Sequence, residues 1–250
     1  MKVSFLSLKQ TPNESKSQPA DDLLIRLAEG ARRQHDAGLL NGDFRLNAPI
    51  RSKFLSQITT LKRASVALIL FYAPDQRLHL LLIQRSTKLK HHPGQVGFPG
   101  GRREPEDNNS WQTATRETAE EIGLQLLDRH LISPLALYGS HSGFLVCPYA
   151  CLVPDLKVNE LVLDTTEVDR VFSIPVTELI QPDFSELGSF TKKNFPYYWV
   201  KFNNGPVSLW GLSAGIVAFW LKDSGFDLDL EAPAPSPAIP LQHLQRIDVT

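Results

Sequence analysis

Three glutamates lie close together in one short segment of this 250-residue chain, the run Arg-Glu-Thr-Ala-Glu-Glu-Ile-Gly-Leu over residues 116–124. With about 100° of turn per residue, a helix places Glu117, Glu120 and Glu121 within an arc of about 100°. Like charges at this spacing destabilise a helix unless something offsets them. A divalent cation does so, and hard cations such as Mg²⁺ prefer oxygen ligands. The spacing therefore predicts a metal site, with a solvated acidic helix face as the alternative.

The residues around the glutamates favour the metal site. Arg116 is expected to flank them on the helix, where its guanidinium can hold one carboxylate in place. Gly100 and Gly101 precede the helix, and glycine lets the backbone approach a ligand closely and adopt unusual φ and ψ. We therefore expect the backbone carbonyl of Gly101 to join the metal ligands.

The same residues resemble the Nudix box, the motif of a family of metal-dependent pyrophosphohydrolases. Fourteen residues separate Gly101 from Arg116, against thirteen in the family pattern. The isolated glutamate of the pattern falls on Asp107 when counted forward and on Asn108 when counted backward, and both assignments stay open. Thr118 stands where the family has an aliphatic residue. The matching residues are Gly101, Arg116, Glu117, Glu120, Glu121, Gly123 and Leu124.

The segment before the box resembles one subfamily, the coenzyme A pyrophosphatases. The subfamily pattern is Leu-Leu-x-x-Arg-Ser, a basic residue four positions later, then Gly-x-Val-x-Phe-Pro-Gly-Gly. This chain matches it from Leu81 to Gly101, with Lys90 as the basic residue. A box longer by one residue is typical of the same subfamily. Residues 142–148, 167–175 and 210–214 resemble further subfamily segments, so the likeness covers about residues 60–222.

This resemblance implies hydrolysis of the pyrophosphate bond of coenzyme A or its derivatives, with 4′-phosphopantetheine and adenosine 3′,5′-bisphosphate as products. We expect Arg85, Lys90 and Gly100 to bind the substrate, because basic side chains near the glycine turn can meet its phosphates. The alternative for the basic residues is a solvated loop. Phe98, in the same segment, is expected to belong to the core.

The resemblance also implies the ligands and the catalytic groups. The cofactor is expected to be Mg²⁺ or Mn²⁺, bound by Glu117, Glu120, Glu121 and the Gly101 carbonyl. The expected catalytic residues are Arg116, Glu117, Glu120 and Glu167. The general base is left open between Glu117 and Glu167, and a surface cap is the structural alternative for Glu167.

Two other functions stay open. The first is a Nudix hydrolase of another nucleoside diphosphate derivative, such as ADP-ribose or NADH, and the segment from Leu81 to Gly101 weighs against it. The second is a non-catalytic Nudix-like binding module. Such domains usually lose carboxylates of the box, whereas all three are present here.

Apolar periodicity predicts strands at residues 65–72, 78–84, 131–138, 144–153, 168–174 and 197–202, with a short extended piece at 95–98. Helices are predicted over about residues 21–34, 111–122 and 213–221, the second with Asn109-Ser110 as its N-cap and Gly123 as its end. We expect the α/β class, as a Nudix-type α/β/α sandwich with a mixed central sheet. The expected parts are an N-terminal extension with one helix (1–58), a Nudix hydrolase domain (59–225) and a Pro-rich tail (226–250).

Composition limits the classes of partner that this protein is expected to bind. The net charge of −1 argues against nucleic-acid binding. No apolar run approaches the roughly 20 residues of a membrane span, so no membrane association is predicted. Cys147 and Cys151, the two cysteines, would lie about 13 Å apart in one strand, too far to bridge. We predict reduced thiols in a cytoplasmic protein, a small-molecule substrate as the partner, and a monomer or homodimer.

Overall fold

The computed structural model describes residues 19–36, 61–140, 143–180, 198–202, 205–209 and 211–227. Ser142, Trp210 and residues 228–250, which hold nearly all of the predicted Pro-rich tail, lie outside these ranges. The helices are α1 (Pro19–Asp36), α2 (Ser110–Ile122), α3 (Val176–Leu179) and α4 (Gly211–Asp223). The strands are β1 (Lys62–Tyr72), β2 (Leu78–Arg85), β3 (Val96–Gly97), β4 (Gly100–Arg102), β5 (Leu131–Pro134), β6 (Tyr138–Gly139), β7 (Phe144–Leu152), β8 (Val168–Pro175), β9 (Tyr198–Phe202) and β10 (Gly205–Leu209).

A mixed sheet forms the centre of the fold, as the sequence predicted. Its strands run in the order β3-β2-β1-β7-β5, with β4 paired to β1, β6 to β7 and β8 to β2. β1 is antiparallel to β2 and parallel to β7, and the parallel register pairs Ser65 with Cys147. β9 and β10 form a separate antiparallel pair. The long apolar runs of β1 and β2 occupy the middle of the sheet because both of its faces are covered.

Alternate residues of β1 point to two different cores. Leu68 and Leu70 face a core built with helices α1 and α4. Ala67 and Ile69 face a second core, which is closed by Ile122 of helix α2. Period-two alternation along a strand thus places helices on both faces of the sheet. The predicted α/β/α sandwich is confirmed.

Helix α1 is part of the packed body. Leu27 and Ala31 are fully buried in the core shared with α4. The indole Nε1 of Trp220 in α4 donates to the carbonyl of Leu27 at 2.9 Å. A Cβ on Gly30 would overlap Ser224, so this glycine permits the close approach of the two helices. The sequence predicted the helix, but its apolar face did not reveal the partner.

Two segments differ from their predictions. The predicted strand at residues 131–138 is divided into β5 and β6, and its register against β7 shifts between Leu131 and Ser133. Pro134, which has no N–H to donate to a ladder, ends β5. The expected turn at Gly100 and Gly101 is instead a short strand, β4, paired to β1.

Both cysteines lie in β7 and are free thiols, as predicted. In the part of the chain that the structure describes, no helix has the length and apolar content to cross a membrane.

Candidate active site

Helix α2 carries the three glutamates and has a defined beginning and end. The side chain of Asn109 accepts a hydrogen bond from the backbone N–H of Gln112 at 2.8 Å, which caps the first turn. Gly123 ends the helix in the left-handed region, with φ of 70°, and donates to the carbonyl of Ala119. Ala114 and Ile122 are fully buried, so one stripe of the helix is fixed against the sheet. This packing turns the glutamates toward β4.

Glu121 is the deepest of the three carboxylates, with a side chain only 1 % exposed. It accepts the backbone N–H of Gly100 at 2.8 Å and faces Nη1 of Arg85 at 3.3 Å. Burial raises the pKa of Glu121 to about 8, although the Gly100 N–H and the Arg85 charge act in the opposite direction. The negative charges of Glu117 and Glu167 add to the rise. Burial of this carboxylate therefore outweighs the effect of its two local donors.

Glu117 lies against the backbone of Gly101. Its side chain is 14 % exposed, and Nη2 of Arg116 contacts it at 3.1 Å. Burial raises the pKa of Glu117, and the charges of Glu120 and Glu167 contribute. A Cβ on Gly101 would lie 2.5 Å from the carboxylate carbon of Glu117, so a larger residue there would displace this carboxylate from its present position.

Arg116 organises the polar side of the helix. Its Nε and Nη2 donate to the two carboxylate oxygens of Asp107, each at 3.0 Å, and its Nη1 reaches Glu120 at 2.7 Å. Asp107 is 3 % exposed and also accepts the Glu104 N–H and the Thr113 hydroxyl. The Arg116 guanidinium lowers the pKa of Asp107 to about 2. These are bidentate, charge-assisted bonds.

The contacts of Asp107 distinguish it from Asn108 as the isolated acidic residue of the box. Asp107 accepts two hydrogen bonds from the arginine of the box, whereas the N–H and the side-chain amide of Asn108 both donate to Gln112. Asp107 therefore occupies the place of the isolated acidic residue. Arg103 holds this segment by donating to the carbonyls of Asp107 and Asn108. The sequence offered no signal for this role of Arg103.

Glu120 differs from its two neighbours because its side chain is 59 % exposed. Its partner is Arg116, which also bonds Glu117. Among the described residues, no group of three His, Cys, Asp or Glu side chains is arranged to hold a metal ion. The donor chemistry nevertheless fits a hard cation: carboxylates on one helix face, two of them buried with raised pKa values. Arg116 and Arg85 form the ion pairs that partly neutralise these carboxylates.

The strand register separates the roles of Gly100 and Gly101. β4 pairs Gly101 with Ser65 and Gly100 with Val66. Two backbone hydrogen bonds join the strands on either side of the Ser65–Gly101 pair, each two residues away. In one, the Ala67 N–H donates to the Pro99 carbonyl; in the other, the Arg103 N–H donates to the Arg63 carbonyl. By the alternation of an antiparallel ladder, the Gly101 backbone groups point to β1 and those of Gly100 point away from it. The register thus favours Gly100, whose N–H binds Glu121, as the source of a backbone ligand.

Glu167 directly precedes Val168, which pairs with Arg85 at the end of β2. Its carbonyl accepts the N–H of Ser86 at 2.8 Å, just after β2. The structure therefore brings Glu167, predicted from a distant part of the sequence, to the same place as the box.

The loop between Arg85 and Gln95 closes back on itself. The Arg85 N–H donates to the Gln95 carbonyl, and the Arg85 carbonyl accepts the Gly94 N–H. Lys90 is exposed in this loop. Arg85 instead points inward to Glu121, so the two basic residues predicted to bind substrate have different surroundings. Phe98 is 6 % exposed and packs in the core, as predicted.

A surface cavity of about 570 Å³ lies on another side of α2. It is lined by Trp111, Leu127 and their neighbours, and none of the box glutamates lines it. Trp111, in its lining, packs against the Tyr149 ring and donates a hydrogen bond from its indole N–H to Asp128. This cavity is separate from the carboxylate cluster.

The fold and the carboxylate helix define a Nudix domain: the NUDIX domain family matches residues 61–195, and the chain belongs to the Nudix family of pyrophosphohydrolases. An uncharacterized Nudix hydrolase NudL of Yersinia enterocolitica is 35% identical over 153 residues, which cover 55% of this chain and 70% of that protein. The mitochondrial coenzyme A diphosphatase NUDT8 of Homo sapiens is 35% identical over 145 residues, covering 57% of this chain but only 61% of that relative. The NUDIX domain of Shewanella oneidensis NrtR, solved with ADP ribose, has a TM-score of 0.40 at 21% identity, covering 52% of this chain and 86% of that one.

Proposed function

We propose that this protein is a metal-dependent hydrolase that cleaves the pyrophosphate bond of coenzyme A or its derivatives to 4′-phosphopantetheine and adenosine 3′,5′-bisphosphate. The observation that carries the proposal is the contact of Arg85 with Glu121. Arg85 belongs to the segment that resembles coenzyme A pyrophosphatases, and Glu121 belongs to the box. The substrate-specific segment and the hydrolytic helix therefore meet at one ion pair. A relative named as a coenzyme A diphosphatase supports the same substrate.

Nudix hydrolases generally need a divalent ion such as Mg²⁺ or Mn²⁺. We propose that Glu117, Glu120 and Glu121 hold it, with a backbone carbonyl from Gly100 or Gly101. When bound, such an ion neutralises phosphate charge and lowers the pKa of a bound water. Glu120 is exposed, and its partner among the described residues is Arg116, so its side chain has room to turn toward the other two carboxylates.

The remaining roles belong to side chains near this cluster. Glu167 and Glu117 are the two candidates for the general base, because a carboxylate near the bound ion can take the proton of an attacking water. Arg116, anchored on Asp107, orients Glu117 and Glu120. Arg85, Lys90 and the backbone of Gly100 are proposed to bind the substrate phosphates.

Incubation of the purified protein with coenzyme A and Mg²⁺ tests the proposal, with products identified by chromatography and mass. We expect 4′-phosphopantetheine and adenosine 3′,5′-bisphosphate in equal amounts, and none when EDTA is present. Intact coenzyme A alongside rapid hydrolysis of ADP-ribose or NADH would assign the protein to the alternative substrate class. A protein that binds these nucleotides but hydrolyses none of them would be a binding module.

The location and assembly of the protein stay predictions. The relative from Homo sapiens is named as mitochondrial, so a cytoplasmic location needs its own test by cell fractionation. A monomer or homodimer stays the expected assembly. We also propose that the catalytic domain of residues 59–225 works with helix α1 docked on it, since Leu27 is buried against α4.

A further inference from the structure

A buried serine next to the carboxylate cluster has no hydrogen-bond partner. Ser65 in the middle of β1 is 1 % exposed. Among the residues that the structure describes, its Oγ is the only buried side-chain nitrogen or oxygen atom without a hydrogen-bond partner. Burying a hydroxyl without a partner costs free energy, so such groups call for a physical reason. The serine also interrupts the apolar run of the strand, where a small apolar residue would pack without this cost.

The strand register places this hydroxyl beside Glu117. Ser65 is paired with Gly101 on one side and with Cys147 on the other. Paired residues in a sheet project their side chains to the same face, with Cβ atoms about 4.5–5.5 Å apart. The position that a Gly101 side chain would fill is occupied by the Glu117 carboxylate. The Ser65 side chain therefore projects to the same face of the sheet as that carboxylate, from the paired position on the neighbouring strand.

The present partner of Glu117 is Arg116, whose Nη2 contacts one carboxylate oxygen at 3.1 Å. The same guanidinium also serves Asp107 and Glu120. A divalent cation competes with Arg116 for the Glu117 oxygens. A carboxylate drawn to the cation then needs another donor to fix its orientation, and the side chain is too buried for bulk water to supply one easily.

We propose that Ser65 is a positioning residue whose hydroxyl donates to the Glu117 carboxylate when that carboxylate binds a divalent cation. This inference rests on the proposed function, in which Glu117 is a metal ligand. A hydroxyl–carboxylate bond is charge-assisted and therefore stronger than a bond between neutral groups. The cost of an unpartnered hydroxyl in the metal-free protein is thus offset in the metal-bound one. Ser65 acts through Glu117 and touches neither substrate nor product.

Two measurements on the S65A protein separate this role from a structural one. The affinity for Mn²⁺, measured by calorimetry or by the paramagnetic signal of free Mn²⁺, should fall about tenfold. The melting temperature of the metal-free protein in EDTA should stay unchanged or rise by a few degrees, because an unpartnered hydroxyl is removed. The S65C protein keeps a buried side chain of similar size but only a weak donor. Its Mn²⁺ affinity should fall between those of S65A and the wild type.

Ser133→Ala is the matched control. Ser133 is also a buried strand serine, 5 % exposed, but its hydroxyl is satisfied by the Pro134 carbonyl. This variant should lose some metal-free stability and keep its Mn²⁺ affinity. Mn²⁺ affinity of S65A within about twofold of the wild type would overturn the inference. A clear drop in the metal-free melting temperature of S65A would also overturn it, because the hydroxyl would then have a partner without metal.

The E117Q protein distinguishes failure of this inference from failure of the proposed function. If E117Q binds Mn²⁺ as tightly as the wild type, Glu117 is not a ligand, and the metal assignment falls together with the role of Ser65. If E117Q loses affinity while S65A does not, the metal assignment stands and only the role of Ser65 is wrong.

Discussion

Arg116 is the residue on which the polar side of the site depends. One guanidinium contacts Asp107, Glu117 and Glu120, so a single side chain determines the orientation of three carboxylates. Asp107 in turn is held by two further donors. Glu121 is held by other contacts, those with the Gly100 N–H and with Arg85. The carboxylates of the site are thus held by two sets of contacts, one centred on Arg116 and one on Gly100 and Arg85. We expect a substitution in one set to leave the contacts of the other set in place.

Glu120 offers the sharpest test of a metal ligand, because its exposed side chain contributes little to the fold. In E120Q we expect a free energy of unfolding within about 0.5 kcal/mol of the wild type, as for most surface substitutions. Turnover should fall on the order of 100-fold, because a metal contact is worth several kcal/mol in the transition state. Glu160→Gln, which changes an equally exposed glutamate paired with Lys157, is the control. Near-normal turnover of E120Q at saturating Mg²⁺ would exclude the ligand role.

Asp107 should give the stability of the protein a recognisable dependence on pH. Its pKa is lowered to about 2 in the folded protein, below the ordinary 3.8. The stabilisation is therefore fully present above about pH 4 and is lost as the pH falls toward 2. Arg116 is 27 % exposed, so solvent weakens the pair, and we expect a contribution of about 1–2 kcal/mol.

The D107N protein isolates this contribution. Urea unfolding at pH 6 should show D107N less stable than the wild type by about 1–2 kcal/mol. The difference should shrink at pH 3, where the wild-type group loses part of its advantage. The other titrating groups are common to both proteins and cancel in the difference. An equal difference at both pH values would show that the charge of Asp107 is not its source.

At the scale of elements, the site is made where β4, α2 and the end of β2 meet. β4 brings Gly100 and Gly101 to the helix, and β2 ends at Arg85 beside Glu121. Pairing of β2 with β8 then carries Glu167 to the same edge, since Arg85 is paired with Val168. Sequence-distant residues meet because three strands of one sheet end close together.

Helix α1 contributes stability to this arrangement through one face. Leu27→Ala should lower the free energy of unfolding by about 2–5 kcal/mol, the usual cost of a cavity at a fully buried leucine. Ile25→Ala, two residues away in the same helix, removes a side chain on a residue that is 53% exposed and should cost less than about 0.5 kcal/mol. Chemical denaturation of both variants gives the comparison. Equal effects would mean that α1 is not docked as the structure shows.

The sequence predicted α2 well because its signals are local: an Asn109 cap, a buried stripe and a Gly123 stop. It also predicted the central strands, whose apolar runs are long. It did not predict β4, since a three-residue strand carries no periodic pattern. It left Asp107 and Asn108 equivalent, because a one-residue insertion can be counted from either side. It gave no sign that Glu120 is exposed while Glu121 is buried, since that difference depends on where β4 and Arg85 lie.

At the scale of the whole molecule, the two described helices nearest the ends of the chain close the same face of the sheet. Arg26 and Arg33 of α1 donate to backbone carbonyls at the end of α4, over Ser224, Gly225 and Asp223. The opposite face carries α2 and the carboxylate cluster. One face thus stabilises the sheet and the other carries the residues of the proposed chemistry.

The substrate is the central claim, and a competition experiment tests it most directly. Coenzyme A and ADP-ribose are mixed at equal concentration with Mg²⁺ and limiting protein, and both are followed in the same tube. The ratio of their rates is the ratio of the two kcat/KM values, whatever fraction of the protein is active. The proposed function predicts that coenzyme A is consumed at least about tenfold faster, a difference of about 1.4 kcal/mol in the transition state. Faster consumption of ADP-ribose would contradict it.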